Sequence, residues 1–280
     1  MSGGVKNNNF SSFPYEHLLV LSDKKAGITS TVGSDLLSAI GDSDKTYLTN
    51  LKNNKSKLEK YGWVDTKIKY EVNSYGFRSN DFNENEGIIF LGCSQTFGTG
   101  LSVEDTFPFL LSQKLKLECW NLSIPGSGLD TCYRIAKYWI PKLNAKNVFL
   151  ICTQPSRREV FVESNFRAYL PEHNLDPTGS LHPFSLLYDK IIKKFYNLIV
   201  VEETNNYINF QKNIDAIKLI CIENNCNLNI ANVYSKNWGI SKKIIVPYKK
   251  CDKARDLMHY GVNWNYAAFE WLYDEFKENF

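Results

Sequence analysis

Short apolar runs at residues 88–91, 120–122 and 148–152, and an alternating one at 228–233, most constrain what this chain of 280 residues can become. A run without a polar face is a strand buried on both sides, as in a parallel sheet covered by helices. Between the runs, apolar residues recur at helical spacing. Phe107, Leu110, Leu111 and Leu115 follow the acidic pair Glu104-Asp105, which suits a helix N-terminus, and Ile135, Ala136, Trp139 and Ile140 precede Pro141, which ends or kinks a helix. Trp264, Ala268, Trp271, Leu272 and Phe276 form a closing amphipathic helix. A long helical region is expected over 184–223, broken near Thr204 to Asn206, and a further strand over 244–246. Strands alternating with helices predict an α/β domain, three layers deep, with a parallel sheet of about five strands. Working residues in such a sheet sit just past the carboxyl ends of its strands.

Residues 1–70 lack this rhythm. The stretch 11–60 is polar and rich in Ser and Lys, and apolar patches at 18–21 and 32–40 suggest a short strand and a helix. We expect an N-terminal extension, 1–70, packing on a main domain, 71–280. Lys plus Arg number 33 against 30 Asp plus Glu, a net charge of +3, which argues against a nucleic-acid partner. Seven cysteines without regular spacing argue against a disulfide framework and for a reducing compartment. Residues 1–13 lack the order of a signal peptide, and no apolar run reaches the roughly 20 residues of a membrane span. The expectation is a cytoplasmic, enzyme-sized chain. Its 29 asparagines read as a compositional bias.

The first run leads straight into Gly92-Cys93-Ser94-Gln95-Thr96. A small residue there lets the chain turn sharply, and the following helix brings N–H groups near the serine oxygen, a suitable place for a nucleophile. The same residues also make an ordinary capped turn. Asp256-Leu257-Met258-His259 places a carboxylate three residues before an imidazole, so Asp256 can hold one His259 tautomer while the other ring nitrogen faces a serine; a surface ion pair is the plainer alternative. Gly126, after the second run, can aim a backbone N–H at a developing oxyanion, and Gln154, after the third, can aim its amide there.

Taken in chain order, these blocks resemble the SGNH (GDSL-type) hydrolases, a family of esterases, lipases, carbohydrate deacetylases and O-acyltransferases. Ile89-Phe90-Leu91-Gly92-Cys93-Ser94 is similar to the family's first block, with Cys93 where Asp is usual. Asn121-Leu122-Ser123-Ile124-Pro125-Gly126 is similar to the second, and Asp256-Leu257-Met258-His259 to the last. Val72-Asn73-Ser74-Tyr75-Gly76-Phe77-Arg78 resembles a stretch that precedes the catalytic strand in one branch. The resemblance covers about 72–278. It implies a flavodoxin-like three-layer α/β/α fold and ester cleavage by a Ser94–His259–Asp256 triad. The implied oxyanion hole is made by the N–H groups of Ser94 and Gly126 with Gln154; no cofactor and no metal are implied. The expected substrate is a small-molecule or carbohydrate acyl ester.

The third block departs from the family. Where Gly-x-Asn-Asp is usual, this chain has Cys152-Thr153-Gln154-Pro155, which keeps the amide one methylene further out. Two rivals follow: an O-acyltransferase acting on a glycan with the same triad, and a non-catalytic module retaining the scaffold. Arg78 and Arg157 are candidate substrate contacts, with structural roles as the alternative. Gly41-Asp42-Ser43 spells the family's motif literally, but no apolar strand precedes it, so it is not expected to carry the nucleophile.

Overall fold

The computed structural model describes residues 30–31, 41–162, 165–169, 202–233, 239–240, 242–244 and 251–280. The expected elements at 18–21 and 32–40, the 184–201 part of the long helical region, and residues 245–246 lie outside them. In chain order the described elements begin with β1 (Ser30–Thr31), α1 (Asp44–Asn53), α2 (Lys55–Lys60) and β2 (Lys69–Tyr70). There follow β3 (Gly87–Leu91), α3 (Ser94–Phe97), α4 (Phe107–Leu115), β4 (Glu118–Asn121), α5 (Leu129–Trp139) and β5 (Ala145–Cys152). The chain continues with the antiparallel hairpin β6 (Arg158–Val162) and β7 (Asn165–Tyr169), then α6 (Glu203–Glu223), β8 (Asn227–Asn232) and α7 (Val262–Phe276).

β4, β3, β5 and β8 lie side by side in that order, all parallel. Successive side chains of a strand point to opposite faces, and here both faces are apolar. Ile88, Phe90, Phe149 and Ile151 meet Phe107 and Leu111 of α4 and Trp264, Ala268 and Leu272 of α7. Ile89, Leu91, Val148 and Leu150 meet Ile135 and Trp139 of α5 and Phe210, Ile214 and Ile217 of α6. The result is a three-layer α/β/α fold. Each large side chain buried this way stabilises the fold by about 1.5–3 kcal/mol, and Phe90 stacks on Phe149 across neighbouring strands at 5.2 Å between centroids.

The described sheet has four strands, close to the five expected; of the expected strand 244–246 only Ile244 is described, and beside it Lys243 makes a parallel bridge to Asn232. Lys242 and Lys243 are both exposed, and charge of this kind keeps a sheet edge in water. The helix is also unbroken over Glu203–Glu223. Glu202 caps it by accepting from the Thr204 N–H at 3.1 Å, so the polar residues read as a break form its first turn. No helix among the described residues is long and apolar enough to cross a membrane. All seven cysteines are free thiols.

Leu58, Trp63, Ile68 and Tyr70 share a third apolar cluster with Phe97, Leu101 and Ala254. The turn that follows is built on asparagine. Asn73 Oδ1 accepts from the N–H groups of Tyr75 and Phe77, both at 3.0 Å, and Asp81 Oδ1 accepts from the Ser74 N–H at 2.8 Å. That backbone bond holds the Asp81 carboxyl below its ordinary range. A carboxyl depressed in the folded state stabilises the fold above its unfolded pKa and loses that contribution as pH falls through the folded pKa. Asp81→Asn keeps an acceptor but removes the titration. The wild type should therefore be slightly more stable than Asp81→Asn in urea at pH 6, by less than about 1 kcal/mol for so exposed a group. The two curves should coincide once pH falls below the folded Asp81 pKa.

Candidate active site

β3 delivers its chain to the centre of the sheet's carboxyl edge. Past Leu91, Cys93 is extended (φ −109°, ψ −154°) and Ser94 opens α3. Gly92 is required by close approach: a Cβ there would lie 2.3 Å from Thr96 Oγ1 and 3.2 Å from the Ile151 carbonyl. Cys93 faces inward, 2% exposed, and caps nothing.

The second half of the site comes from the loop before α7. An antiparallel bridge between Lys253 and Tyr260 closes this loop, and the Ala254 N–H donates to the His259 carbonyl at 3.1 Å. Inside it the chain reverses with Leu257 at φ +61°. Asp256 Oδ1 accepts from the backbone N–H groups of Met258 and His259, both at 3.0 Å, which leaves Oδ2 for the ring of His259. The carboxylate thus shapes the very turn that presents the imidazole to it.

The structure brings Ser94, His259 and Asp256 together. Ser94 Oγ lies 2.8 Å from His259 Nε2, and Asp256 Oδ2 is hydrogen-bonded to His259 Nδ1 on the far side of the ring. Asp256 is buried, 1% exposed, whereas the His259 side chain is 18% exposed and open to a substrate. An ionised carboxylate can only accept, so the neutral ring carries its proton on Nδ1. Nε2 is left to accept from the Ser94 hydroxyl.

Comparison with known proteins adds little weight. No family model and no curated protein matches the chain. Among solved structures, it is similar to one described as a lipolytic protein of the G-D-S-L family from Desulfitobacterium hafniense DCB-2. The identity is 13%, with 68% of this chain and 97% of that one covered, at a TM-score of 0.40. It is also similar to the acetyl xylan esterase AlAXEase, at 18% identity over 66% of this chain and 98% of that one, with a TM-score of 0.29.

The strand order sets the three oxyanion candidates side by side. β3 lies between β4 and β5, so the turn bearing Ser94 is flanked by the loop bearing Gly126 and the strand end bearing Gln154. The Gly92 carbonyl accepts from the Ile124 N–H at 3.2 Å and from Ser127 Oγ at 2.8 Å, which fastens the Gly126 loop to the serine turn. Asn121 Nδ2 donates to the Thr96 carbonyl at 2.8 Å, tying α3 to β4. Neither the Ser94 nor the Gly126 N–H has an acceptor among the described residues.

Both candidate arginines are largely buried. Arg78, 2% exposed, donates to the carbonyls of Phe97 (3.1 Å), Gly98 (2.7 Å) and Leu101 (2.7 Å) and lies over the Tyr70 ring. It holds the turn after α3 from beneath, a structural role carried by backbone carbonyls. Arg157 is 8% exposed, and its N–H donates to the Gln154 carbonyl at 3.1 Å. Arg158 donates to the Pro155 carbonyl at 2.7 Å and to Asn206 of α6 at 2.9 Å. The hairpin that follows is rooted by a buried ion pair, Arg134 Nε to Glu159 at 2.6 Å. A separate cavity of about 130 Å³, reaching Ser79, Phe109 and Cys119, contains none of Ser94, His259 and Asp256.

Gly100 joins the two halves. It sits at φ +79°, and a Cβ there would lie 2.8 Å from Ala254 Cβ and 3.1 Å from the Arg255 nitrogen. Gly100→Ala combines left-handed strain of about 1–2 kcal/mol with a push on the Asp256 loop. The expected outcome is a melting temperature lower by a few degrees together with reduced turnover of whatever substrate the site takes. Differential scanning calorimetry and a turnover assay on one preparation would check both.

Proposed function

We propose that this chain is a serine acyl hydrolase of the SGNH type, cleaving O-acetyl or other short acyl esters, including those carried on carbohydrates. Residues 71–280 form the hydrolase domain, with residues 1–70 as an extension packed on it. The observation that supports this most is the continuous hydrogen-bonded line from Ser94 Oγ through the His259 ring to the buried Asp256. Its 2.8 Å first step is within the range over which a base takes a proton from a nucleophile.

In this mechanism Ser94 Oγ attacks the ester carbonyl as His259 Nε2 accepts its proton, and Asp256 stabilises the imidazolium. The tetrahedral oxyanion is met by the N–H groups of Ser94 and Gly126, with the Gln154 amide beside them. His259 then gives its proton to the departing alcohol. Water, deprotonated in turn by His259, releases the acid and restores Ser94.

A fluorophosphonate probe followed by peptide mass mapping tests the reading. The expected result is a single adduct on Ser94, lost when His259 is replaced by Ala. Absence of labelling at Ser94 in the folded wild-type protein would favour the non-catalytic module.

A further inference from the structure

Residues 42–70 reach the back of the loop that carries Asp256 and His259, and they hold it at successive backbone groups. Trp63 Nε1 donates to the Lys253 carbonyl at 2.7 Å, and Asn50 Nδ2 donates to the Asp256 carbonyl at 3.0 Å. Between these two points, Arg255 turns inward and is 1% exposed. Its Nε lies 3.1 Å from Asp42 Oδ1 and its Nη2 lies 2.9 Å from Asp42 Oδ2, while Nη1 donates to the Thr66 carbonyl at 3.1 Å. Asp42 is wholly buried, and its Oδ2 also accepts from the Tyr70 hydroxyl at 2.7 Å. That hydroxyl in turn accepts from the Gly100 N–H at 2.7 Å, and the Gly100 carbonyl accepts from the Arg255 N–H at 3.1 Å.

These bonds close a ring. It runs from Gly100, in the turn that follows the nucleophile's helix, through Tyr70, Asp42 and Arg255, and back to Gly100. Asp256 is the next residue along the chain. The ring therefore joins the support of Ser94 to the support of Asp256 and His259 without passing through the sheet. A buried ion pair contributes little net stability over apolar residues of the same shape, but a forked guanidinium–carboxylate contact fixes orientation as apolar packing does not. Orientation matters here because misplacing reacting groups by about 1 Å can lower a rate by about 100-fold.

We infer that Asp42, Tyr70 and Arg255 are positioning residues that set the Asp256–His259 loop against Ser94, an inference that rests on the proposed triad. The residues 41–43 that spell the family motif out of place thus serve the site from behind: Asp42 anchors the frame, and Ser43 caps α1 by accepting from the Thr46 N–H at 3.1 Å.

The test uses Tyr70→Phe, which removes only the bridging hydroxyl, and Asp42→Asn, which weakens the grip on Arg255. Ile217→Ala is the control; this residue is buried on the opposite face of the sheet, and its truncation lowers the melting temperature without touching the frame. Two quantities are read: kcat and KM on a short-chain ester, and the downfield proton NMR resonance of the His259 Nδ1–H bonded to Asp256. Both frame variants should lower kcat by about 10-fold or more, leave KM within about twofold, and shift or broaden the resonance. The control should leave both readouts unchanged. If Tyr70→Phe keeps the wild-type kcat and resonance, or the control alters them as much, the inference is overturned. If Asp42→Asn does not fold, Tyr70→Phe decides. The resonance needs no turnover, so a wild type without esterase activity would sink the proposed function while leaving the frame to be judged by NMR.

Discussion

Ser94→Ala is expected to lower turnover of a short-chain chromogenic ester by on the order of 10⁴–10⁶-fold while leaving the melting temperature nearly unchanged. The two halves of that expectation have separate causes. Ser94 Oγ lies 2.8 Å from His259 Nε2 and is the acyl carrier of the proposed mechanism, so its loss removes that covalent route. The serine is half-buried and the His259 side chain is 18% exposed, so water can take the vacated hydrogen bond. Asp256→Asn should fall in the same direction by about 10⁴-fold, because an amide that donates to Nδ1 holds the ring in the wrong tautomer. It should also destabilise the loop, since Asp256 Oδ1 shapes the 256–259 turn. Undiminished turnover in Ser94→Ala would remove Ser94 as the nucleophile.

The largest effect on stability is expected at Arg78. Replacing it with Ala strips donors from three carbonyls at the end of α3 and in the turn after it, and empties the space over the Tyr70 ring. Each buried acceptor left without a donor costs about 1–3 kcal/mol, so three of them amount to several kcal/mol. Desolvation pulls the guanidinium pKa down from its ordinary value, yet arginine's very high starting point keeps it a donor. Arg78→Lys should recover only part of the loss, because an ammonium cannot span three carbonyls in a fixed plane. Urea unfolding of the three proteins side by side would measure it, and a loss below about 1 kcal/mol in Arg78→Ala would show that the contacts are incidental.

The main sheet is legible in the sequence because its strands are buried on both faces. Runs such as 88–91 and 148–152 have no polar register to confuse with helix, and the flanking helices announce themselves by spacing. Thr204 to Asn206 mislead because polar residues suit a first helical turn as well as a break. The Ser94 turn and the Asp256–His259 pair each leave a local trace, since one follows a strand and the other spans three residues. What joins them leaves none. Asp42 and Arg255 are 213 residues apart, and Asn121 and Asn265 act through backbone atoms of distant segments. Asparagine's abundance looked like bias because a side chain that clamps a remote carbonyl or N–H has no periodic signature.

The distances along the chain also dictate when the site can exist. The Ser94 turn is complete once the first three parallel strands have formed, but its imidazole lies 165 residues downstream and the frame's arginine 213 residues from its carboxylate. Contacts of that span are expensive to close and tend to form late. A chain emerging from the ribosome therefore carries an inert serine through most of its synthesis. Until the last stretch arrives, Arg255 cannot seat on Asp42 and the frame stays open. Ending the chain before that point would remove Asp256 and His259 together with α7, the helix that covers one face of the sheet.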